Sequence, residues 1–264
     1  MAMTEERKRE LLFSLIPELC AERDMRMEID ADSSVDELFS TFRALVNTRP
    51  AIPASEAFLS GQDELLQGMI AEKGITEVGD IAPSAVDLRL CLWRGDITAL
   101  AADAIVNAAN SQMLGCWVPG HHCIDNAVHT FAGVQLRLAC ARLMDEQGHE
   151  EPTGAAKITP AYNLPAAYVI HTVGPIAAGH PNARHRMQLA SCYRSCLDVA
   201  ARSGARSIAF CCISTGVFGF PQEEAARIAI ETVRAWLDGQ GSDMTVVFNV
   251  FLASDEEIYR TLLM

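Results

Sequence analysis

The spacing of apolar residues is helical in the first third of the chain. Leucine and isoleucine recur every three or four positions over residues 12–19, which predicts an amphipathic helix, although Pro17 leaves open an interruption. A capping box at residues 34–37 predicts the start of a second helix. A third helix is predicted over residues 62–73, with Gly74 placed to end it.

From Val86 onward, short apolar runs alternate with helical patterns. Strands are predicted at residues 88–93, 104–106, 168–171, 208–213 and 246–251. Helices are predicted near residues 124–144, 186–202, 222–237 and 255–263, the last opened by a capping box at residues 254–257. This alternation predicts an α/β layer with helices on both faces of a sheet, preceded by an all-helical extension. We therefore expect two regions, residues 1–85 and residues 86–264.

Composition limits the partners of the protein. The chain has 264 residues, 50% of them hydrophobic, and a formal net charge of −13, which opposes broad contact with nucleic acid. It has no apolar run of about 18 residues, so we expect no membrane span. The N-terminus carries charges of both signs, unlike a secretory signal. Nine scattered cysteines suit reduced thiols, so we expect a cytoplasmic protein.

One short segment concentrates side chains that bind metals. Cys116, His121 and Cys123 have the spacing Cys-x4-His-x-Cys, and Asp125 follows two residues later. Three soft ligands suit zinc and leave its fourth position open, as in catalytic zinc sites. His122 is an alternative to His121 as the histidine ligand. Cys192 and Cys196 share a helical face at i and i+4, which could suit a metal, but they are interpreted as packing residues, as are Cys140, Cys211 and Cys212.

A glycine-containing loop follows the predicted strand at residues 208–213. Gly216 and Gly219 permit unusual backbone angles, and the loop runs directly into a predicted helix. Successive backbone amides at such a helix start can bind an anion without lysine or arginine. We therefore expect residues 214–220 to form a phosphate-binding loop, even in this acidic protein.

Five motifs occur in a specific order along the chain: Gly-Asp-Ile-Thr at 95–98, Val-Asn-Ala-Ala-Asn at 106–110, Asp-Asn-Ala-Val-His at 125–129, His-Thr-Val-Gly-Pro at 171–175 and Ser-Thr-Gly-Val-Phe-Gly at 214–219. Together they resemble the macrodomain family, α/β/α modules that bind ADP-ribose. Cys116 to Cys123 stand where many relatives have a run of glycines. That difference, with the helical extension, resembles a zinc-containing subgroup of bacteria and fungi.

The resemblance implies a three-layer α/β/α fold with a mixed central sheet, and a role for each motif. Asp96 and the amide of Ile97 would bind the adenine end, with Phe251 beside the adenine ring or its ribose. The diphosphate would be surrounded by Ser214, Thr215, Gly216, Val217 and Phe218. Asn110 would bind the distal ribose, Asn107 would shape its loop, and Asp125 would take part in catalysis beside zinc held by Cys116, His121 and Cys123.

The implied activity is zinc-dependent release of ADP-ribose from a modified, acidic side chain of a protein. The subgroup resemblance further implies reversal of sirtuin-type mono-ADP-ribosylation, with a lipoyl carrier protein as a possible substrate. Either zinc or Asp125 could activate the attacking water, so both roles stay open. The alternative is a reader that binds ADP-ribose without cleaving it, in which zinc is structural.

Several site residues also have structural interpretations. Asp125 could be a helix N-cap, and Asp96 could cap a turn with Thr98 as its partner. His129 and His171 could be buried, hydrogen-bonded residues with no part in catalysis. These alternatives can be distinguished by the positions of the side chains.

Overall fold

The N-terminal region consists of three helices. The computed structural model describes residues 3–263. Its first helices are α1 (Glu5–Ala21), α2 (Val35–Asn47) and α3 (Glu56–Lys73). The capping box at Ser34 is confirmed, with hydrogen bonds in both directions between Ser34 and Glu37. Pro17 lies within α1 and does not interrupt it. Proline cannot donate one of the hydrogen bonds within the helix, and burial of leucines on both sides of Pro17 offsets the cost of that loss.

The rest of the chain alternates strands with helices. The strands are β1 (Thr76–Glu77), β2 (Leu90–Arg94), β3 (Leu100–Ala101), β4 (Ala104–Ala109), β5 (Ala156–Pro160), β6 (Tyr168–Val173), β7 (Ser207–Phe210) and β8 (Thr245–Val250). The helices are α4 (Ile124–Ala132), α5 (Val134–Gln147), α6 (Ala183–Arg202), α7 (Gln222–Gln240) and α8 (Ala253–Leu262). All five predicted strands are present.

The main sheet has six strands in the order β2-β8-β7-β4-β6-β5. Neighbours from β2 to β6 pair in parallel, and β5 pairs antiparallel with β6. The expectation of a mixed sheet is therefore confirmed. Strands β4 and β8 are buried almost throughout, which explains their predominantly apolar sequences. The two-residue strands β1 and β3 form a separate parallel pair.

The helices form layers around this sheet. Helix α7 packs between α6 and α8, whereas α4 and α5 contact β4 and β5 respectively. In the extension, α2 and α3 pack on α4, and buried apolar side chains of the three N-terminal helices join those of the sheet in one cluster. The expected α/β/α fold with a helical extension is confirmed. Among residues 3–263, no helix is both long and apolar enough to cross a bilayer.

The boundary near residue 85 stays a prediction. Met1, Ala2 and Met264, at the outer ends of the two predicted regions, lie outside the described residues. Several predictions of elements need correction. Strand β5 was not predicted, because it is a partly exposed edge strand without a continuous apolar run. Helix α3 begins at Glu56, earlier than residue 62. The capping box at 254–257 is wrong, because α8 begins at Ala253 with no side-chain cap.

The helix predicted over residues 124–144 is in fact two helices separated by Gly133. Gly133 has φ 95° and ψ 172°, a conformation accessible essentially to glycine alone. A Cβ atom there would lie 2.5 Å from Gln135 Oε1 and 2.6 Å from Gln62 Nε2. Gln62 belongs to α3, and its Oε1 accepts a hydrogen bond of 2.9 Å from the amide of Val134. A side chain of the extension thus caps α5.

A buried arginine joins the extension to the α/β layer. Arg137 of α5 is 5% exposed and donates hydrogen bonds to the carbonyl oxygens of Val46, Asn47 and Arg49, at the end of α2. It also donates to the Leu114 carbonyl at 2.7 Å. Burial lowers the pKa of Arg137 to about 10, which leaves it charged at neutral pH. A cation at the C-terminus of a helix is favoured by the helix dipole.

Gly133→Ala should lower the free energy of unfolding by about 1–3 kcal/mol, because alanine cannot adopt this backbone conformation without strain. Urea denaturation measures the change. Gly239→Ala is the matched control, because Gly239 lies within α7 and an added Cβ would meet no neighbouring atom there. That substitution should stabilise by about 0.5–1 kcal/mol. Equal stability of the two variants would contradict the role assigned to Gly133.

Candidate active site

The loops predicted to bind ligand lie in a row along one edge of the sheet. Strands β2, β8, β7 and β4 are parallel neighbours, so their C-terminal ends share that edge. The row therefore runs from Asp96 after β2, through Phe251 after β8 and residues 214–220 after β7, to Asn110 after β4. Open α/β sheets bind their ligands at this edge. The motifs thus have a spatial order that differs from their order in the chain.

Asp96 is held at the β2 end of the row. Its Oδ1 accepts hydrogen bonds from the amide of Thr98 at 3.0 Å and the hydroxyl of Thr98 at 2.7 Å, which confirms the predicted turn cap. Its Oδ2 accepts from Lys73 Nζ of α3 at 2.7 Å. Burial opposes ionisation of Asp96, but the hydrogen bonds from Lys73 and Thr98 lower its pKa overall. Ile97 is buried beside it.

Residues 214–220 form a compact turn with two left-handed positions. Ser214 has φ 66° and is buried, and its Oγ has no hydrogen-bond partner among the described residues. Gly219 has φ 63°, and a Cβ there would lie 3.1 Å from the backbone nitrogen of Gly179. Gly219 therefore permits close contact between two loops, whereas Gly216 has open space around it. Thr215 and Phe218 lie between these positions, partly exposed.

Two large apolar side chains stand exposed beside this turn. Val217 is 82% exposed, and Phe251 is 73% exposed at the end of β8. Both residues were predicted to contact the ligand.

Asp125 lies at the opposite end of the row, between the two predicted asparagines. Asn107 Nδ2 donates to Asp125 Oδ1 at 2.8 Å, and Asn110 Nδ2 lies 3.4 Å from Asp125 Oδ2. Asp125 is 5% exposed. Burial raises its pKa to about 6, although the hydrogen bond from Asn107 and the charge of Arg137 oppose that rise. A carboxylate with a raised pKa is suited to accept a proton near neutral pH.

The alternative that Asp125 is a helix N-cap is wrong. Helix α4 begins at Ile124, and its N-cap is Cys123, whose Sγ accepts a hydrogen bond of 3.4 Å from the amide of Asn126. Asp125 instead lies within the first turn, and its carboxylate is directed toward Asn107 and Asn110. Its side chain is thus free of a capping role.

Cys116, His121 and Cys123 converge as predicted. One ligand atom from each lies within 4.8 Å of the others, and Cys116 Sγ is 3.6 Å from His121 Nδ1. Tetrahedral zinc with its usual bond lengths places sulfur and nitrogen ligands about 3.5 Å apart. All three residues are partly exposed, whereas His122 is exposed and is not part of this cluster. The donor set therefore fits zinc, with His121 as the histidine.

A second cluster lies beneath Asp125 and is fully buried. It contains His129, Cys140 and His171, with Cys140 Sγ 3.7 Å from His171 Nε2. Burial raises the pKa of Cys140 to about 12, which disfavours the thiolate that a metal needs. His171 Nε2 is also 3.0 Å from the hydroxyl of Thr159. This cluster has the chemistry of a packed polar interior, despite ligand atoms at suitable distances.

The two histidines differ in their contacts. His171 is buried and hydrogen-bonded, which confirms the prediction that it could be a buried, hydrogen-bonded residue. His129 is buried, but neither ring nitrogen has a hydrogen-bond partner among the described residues. Its Nε2 lies 3.6 Å from Asp125 Oδ1, and a cavity of about 10 Å³ beside it is lined also by Arg137. That volume suits about one water molecule.

Several residues of the extension that contact this site were not predicted from the sequence. Lys73 binds Asp96, and Arg43 and Asn47 of α2 contact the segment from Gly120 to Asn126. Polar residues on amphipathic helices look like solvent-exposed positions in a sequence. Only the burial of Asn47, which is 1% exposed, distinguishes it from such residues.

Comparison with known proteins agrees with this geometry. Residues 106–229 match the family model described as Macro domain. A protein-ADP-ribose hydrolase from Treponema medium is 51% identical over 263 residues, covering 99% of this chain and 100% of the relative. This chain belongs to the macrodomain family. A protein-ADP-ribose hydrolase from Staphylococcus aureus strain MRSA252 is 47% identical, and the match covers 93% of this chain and 92% of the relative.

Solved structures of macrodomains share the fold. A Trypanosoma brucei macrodomain in complex with ADP-ribose has a TM-score of 0.66 and 30% identity, covering 84% of this chain and 95% of its own. An Oceanobacillus iheyensis macrodomain with ADP has a TM-score of 0.59 and 39% identity, covering 65% of this chain and 88% of its own.

Within this macrodomain, a buried chain of hydrogen bonds supports Asp125. The ionised carboxylate only accepts, so the Nδ2 of Asn107 faces it. The same Nδ2 lies 3.2 Å from His171 Nδ1, which must then accept. His171 Nε2 consequently carries the hydrogen and donates to Thr159. This arrangement requires neutral His171, and burial lowers its pKa to about 3.

Acid should destabilise the protein through His171. Its folded pKa of about 3 lies below the ordinary value of 6.5, so its contribution is fully present above pH 6.5 and is lost as pH falls toward 3. At pH 5 the loss is about 2 kcal/mol. Between pH 7.5 and pH 5, the free energy of unfolding of His171→Asn should therefore fall by about 2 kcal/mol less than that of the parent. Urea denaturation at the two pH values measures the difference.

His180→Asn, which removes an exposed histidine, is the control and should follow the parent. Parallel curves of stability against pH for the parent and His171→Asn would show that His171 does not set the acid sensitivity.

Proposed function

We propose that this macrodomain is a zinc-dependent hydrolase that releases ADP-ribose from mono-ADP-ribosylated proteins. The observation that carries the proposal is the position of Asp125. Its buried carboxylate lies between the amides of Asn107 and Asn110, and Cys123, a candidate metal ligand, caps the same helix. The names of the Treponema and Staphylococcus relatives support the activity, and the ADP-ribose complex of the Trypanosoma macrodomain supports the ligand.

The row of loops suggests how ADP-ribose would lie. Asp96 and the amide of Ile97 would bind adenine at the β2 end, with Phe251 against the ring or its ribose. The amides of residues 214–218 would bind the diphosphate, because successive backbone N–H groups can bind an anion without lysine or arginine and the chain carries a formal net charge of −13. Asn110 would then bind the distal ribose beside Asp125. This order follows the strand order β2-β8-β7-β4.

The reaction would be hydrolysis at the anomeric carbon of the distal ribose. Water forms the new carbon–oxygen bond, and the bond to the ester oxygen of the modified side chain breaks. Asp125 accepts the proton of the water, which it later returns to solvent, and the leaving carboxylate departs without needing a proton. Asn107 holds Asp125 in position, and Asn110 orients the ribose hydroxyls.

Cys116, His121 and Cys123 would hold zinc at the start of α4, the helix that carries Asp125. Zinc bound there supplies positive charge, although two thiolate ligands reduce its Lewis acidity. The chain's own carboxylate is therefore the better candidate for the base, and the three ligands hold the adjoining loop in place.

The substrate would carry ADP-ribose on an acidic side chain. The subgroup resemblance supports reversal of sirtuin-type modification, with a lipoyl carrier protein as a substrate. A cytoplasmic location suits thiol ligands, and all nine cysteines are free. Residues 1–85 would form the helical extension, and residues 86–264 would form the macrodomain.

The second candidate is a reader that binds ADP-ribose without hydrolysis. It would need Asp96, Asn110 and residues 214–218, but not a buried carboxylate of raised pKa. The environment of Asp125 therefore favours the hydrolase. A reader would show calorimetric binding of ADP-ribose and no release from a modified protein at any zinc loading.

Asp125→Asn should reduce release of ADP-ribose by about 100-fold or more, because a general base contributes about 10²–10⁴-fold. Binding of free ADP-ribose should change by less than about threefold, since the side chain keeps its size. Calorimetry measures the binding, and a release assay on a mono-ADP-ribosylated protein measures turnover. Asp243→Asn, an exposed substitution before β8 at the opposite edge, should leave both unchanged. Parental turnover in Asp125→Asn would reject this residue as the base.

Cys116→Ser should lower bound zinc well below one ion per chain and lower the rate of release with it. Mass spectrometry on protein purified without added zinc measures the metal, and the same release assay measures activity. Cys20→Ala, which removes a thiol of the extension, should retain zinc. If zinc-free protein hydrolyses at the parental rate, the proposal that hydrolysis depends on zinc is wrong, and any bound zinc has only a structural role.

A further inference from the structure

The segment that carries the metal ligands is held by the helical extension. Arg43 of α2 donates from Nη2 to the carbonyl oxygen of His121 at 2.9 Å. It also donates from Nε and Nη2 to Asn126 Oδ1, at 3.0 and 2.7 Å. One guanidinium therefore contacts the backbone of a ligand residue and the first turn of α4, which carries Asp125.

Asn47, at the end of the same helix, makes a second set of contacts. Its Oδ1 accepts from the amide of Gly120 at 3.0 Å and from Asn126 Nδ2 at 2.9 Å. Its Nδ2 donates to the hydroxyl of Thr130 at 3.0 Å. Asn47 is 1% exposed and Asn126 is 0% exposed, so water cannot replace these bonds.

The metal-ligand segment has little structure of its own. Residues 111–123 contain no helix or strand, and Trp117, Val118 and Pro119 are exposed. The Val118 carbonyl accepts from Asn126 Nδ2 at 3.1 Å, which extends the same network into this exposed stretch. Such a segment loses conformational entropy when three ligands converge, and partners that hold it in advance reduce that loss.

We propose that Arg43 and Asn47 make the extension part of the metal site, by holding residues 118–123 so that Cys116, His121 and Cys123 converge before metal binds. This inference rests on the proposed zinc site and not on the hydrolysis. Both residues are positioning residues, because they act through the loop backbone and through Asn126. The extension is thereby needed for metal affinity in addition to stability.

The alternative is that the extension only stabilises the fold. Arg23 provides the matched control, because it is also a partly exposed arginine that anchors α2. It donates to Thr48 Oγ1 at 2.8 Å and to the Leu45 carbonyl at 2.6 Å, within the extension. Arg23→Gln thus removes a similar anchor with the same change of charge and without any contact to the loop.

The experiment measures zinc affinity of the full-length chain by competition with a chromogenic chelator. Arg43→Gln should weaken zinc binding by about 10-fold or more, as is typical when groups that orient metal ligands are lost. Arg23→Gln should change it by less than about threefold. Thermal unfolding of each variant confirms that it is folded at the temperature of the titration.

A second measurement uses the metal-free protein. Amide hydrogen exchange over residues 114–123 should be faster in Arg43→Gln than in the parent and Arg23→Gln. Asn47→Ser keeps an acceptor but shortens the side chain, and it should also weaken zinc binding and speed exchange. It replaces Arg43→Gln in both measurements if Arg43→Gln fails to fold.

The outcomes separate this inference from the proposed function. Equal zinc affinities for the Arg43 and Arg23 variants, or equal exchange in the metal-free forms, would overturn the positioning role while leaving the zinc site intact. A parent that binds no zinc would reject the proposed site and this inference together. Release of ADP-ribose enters neither measurement, so failure of the hydrolase proposal would be seen separately.

Discussion

Parallel pairing of β2, β8, β7 and β4 is the constraint on which the site depends. Parallel strands end at the same edge, so the loops that follow them are neighbours wherever they occur in the chain. Asp96, residues 214–220 and Asn110 are brought to one edge in this way, and Asn110 Nδ2 lies 3.4 Å from Asp125 Oδ2. A different strand order would separate the candidate adenine end from the candidate catalytic carboxylate, with every motif still present.

The second constraint is the need of buried polar groups for partners. Arg137 satisfies the last carbonyls of α2, Asn47 binds Asn126, and Gln62 caps α5. Each of these contacts crosses between the helical extension and the α/β layer. The extension also reaches both ends of the row, through Lys73 at Asp96 and Arg43 at the metal-ligand segment. The two regions are therefore joined by directional contacts as well as by a shared apolar core.

Local patterns were sufficient for most of the fold. The buried parallel strands were predictable because they are predominantly apolar, whereas β5 was missed because it is a short, partly exposed edge strand without a continuous apolar run. Gly133 divides α4 from α5, and Gln62 of α3, 71 positions earlier in the chain, occupies the space that a Cβ there would need. The capping assignments at Ser254 and Asp125 were wrong because several residues near each helix start have suitable side chains. Backbone position decides among them.

The alternation of apolar runs with helical patterns was enough to predict the α/β class, and the five ordered motifs supplied the family resemblance. The candidate ligands Cys116, His121 and Cys123 were predictable as a group because they lie within eight positions, but the choice of His121 over His122 came from the resemblance. Tertiary structure alone decided the order of the loops, the choice of Cys123 over Asp125 as the cap of α4, and the partners of each buried amide. It also brought Arg43 and Asn47 onto His121 and Gly120, which follow them by 78 and 73 positions in the chain. Such contacts depend on which surfaces pack together, and a local pattern of residue types contains no information about that.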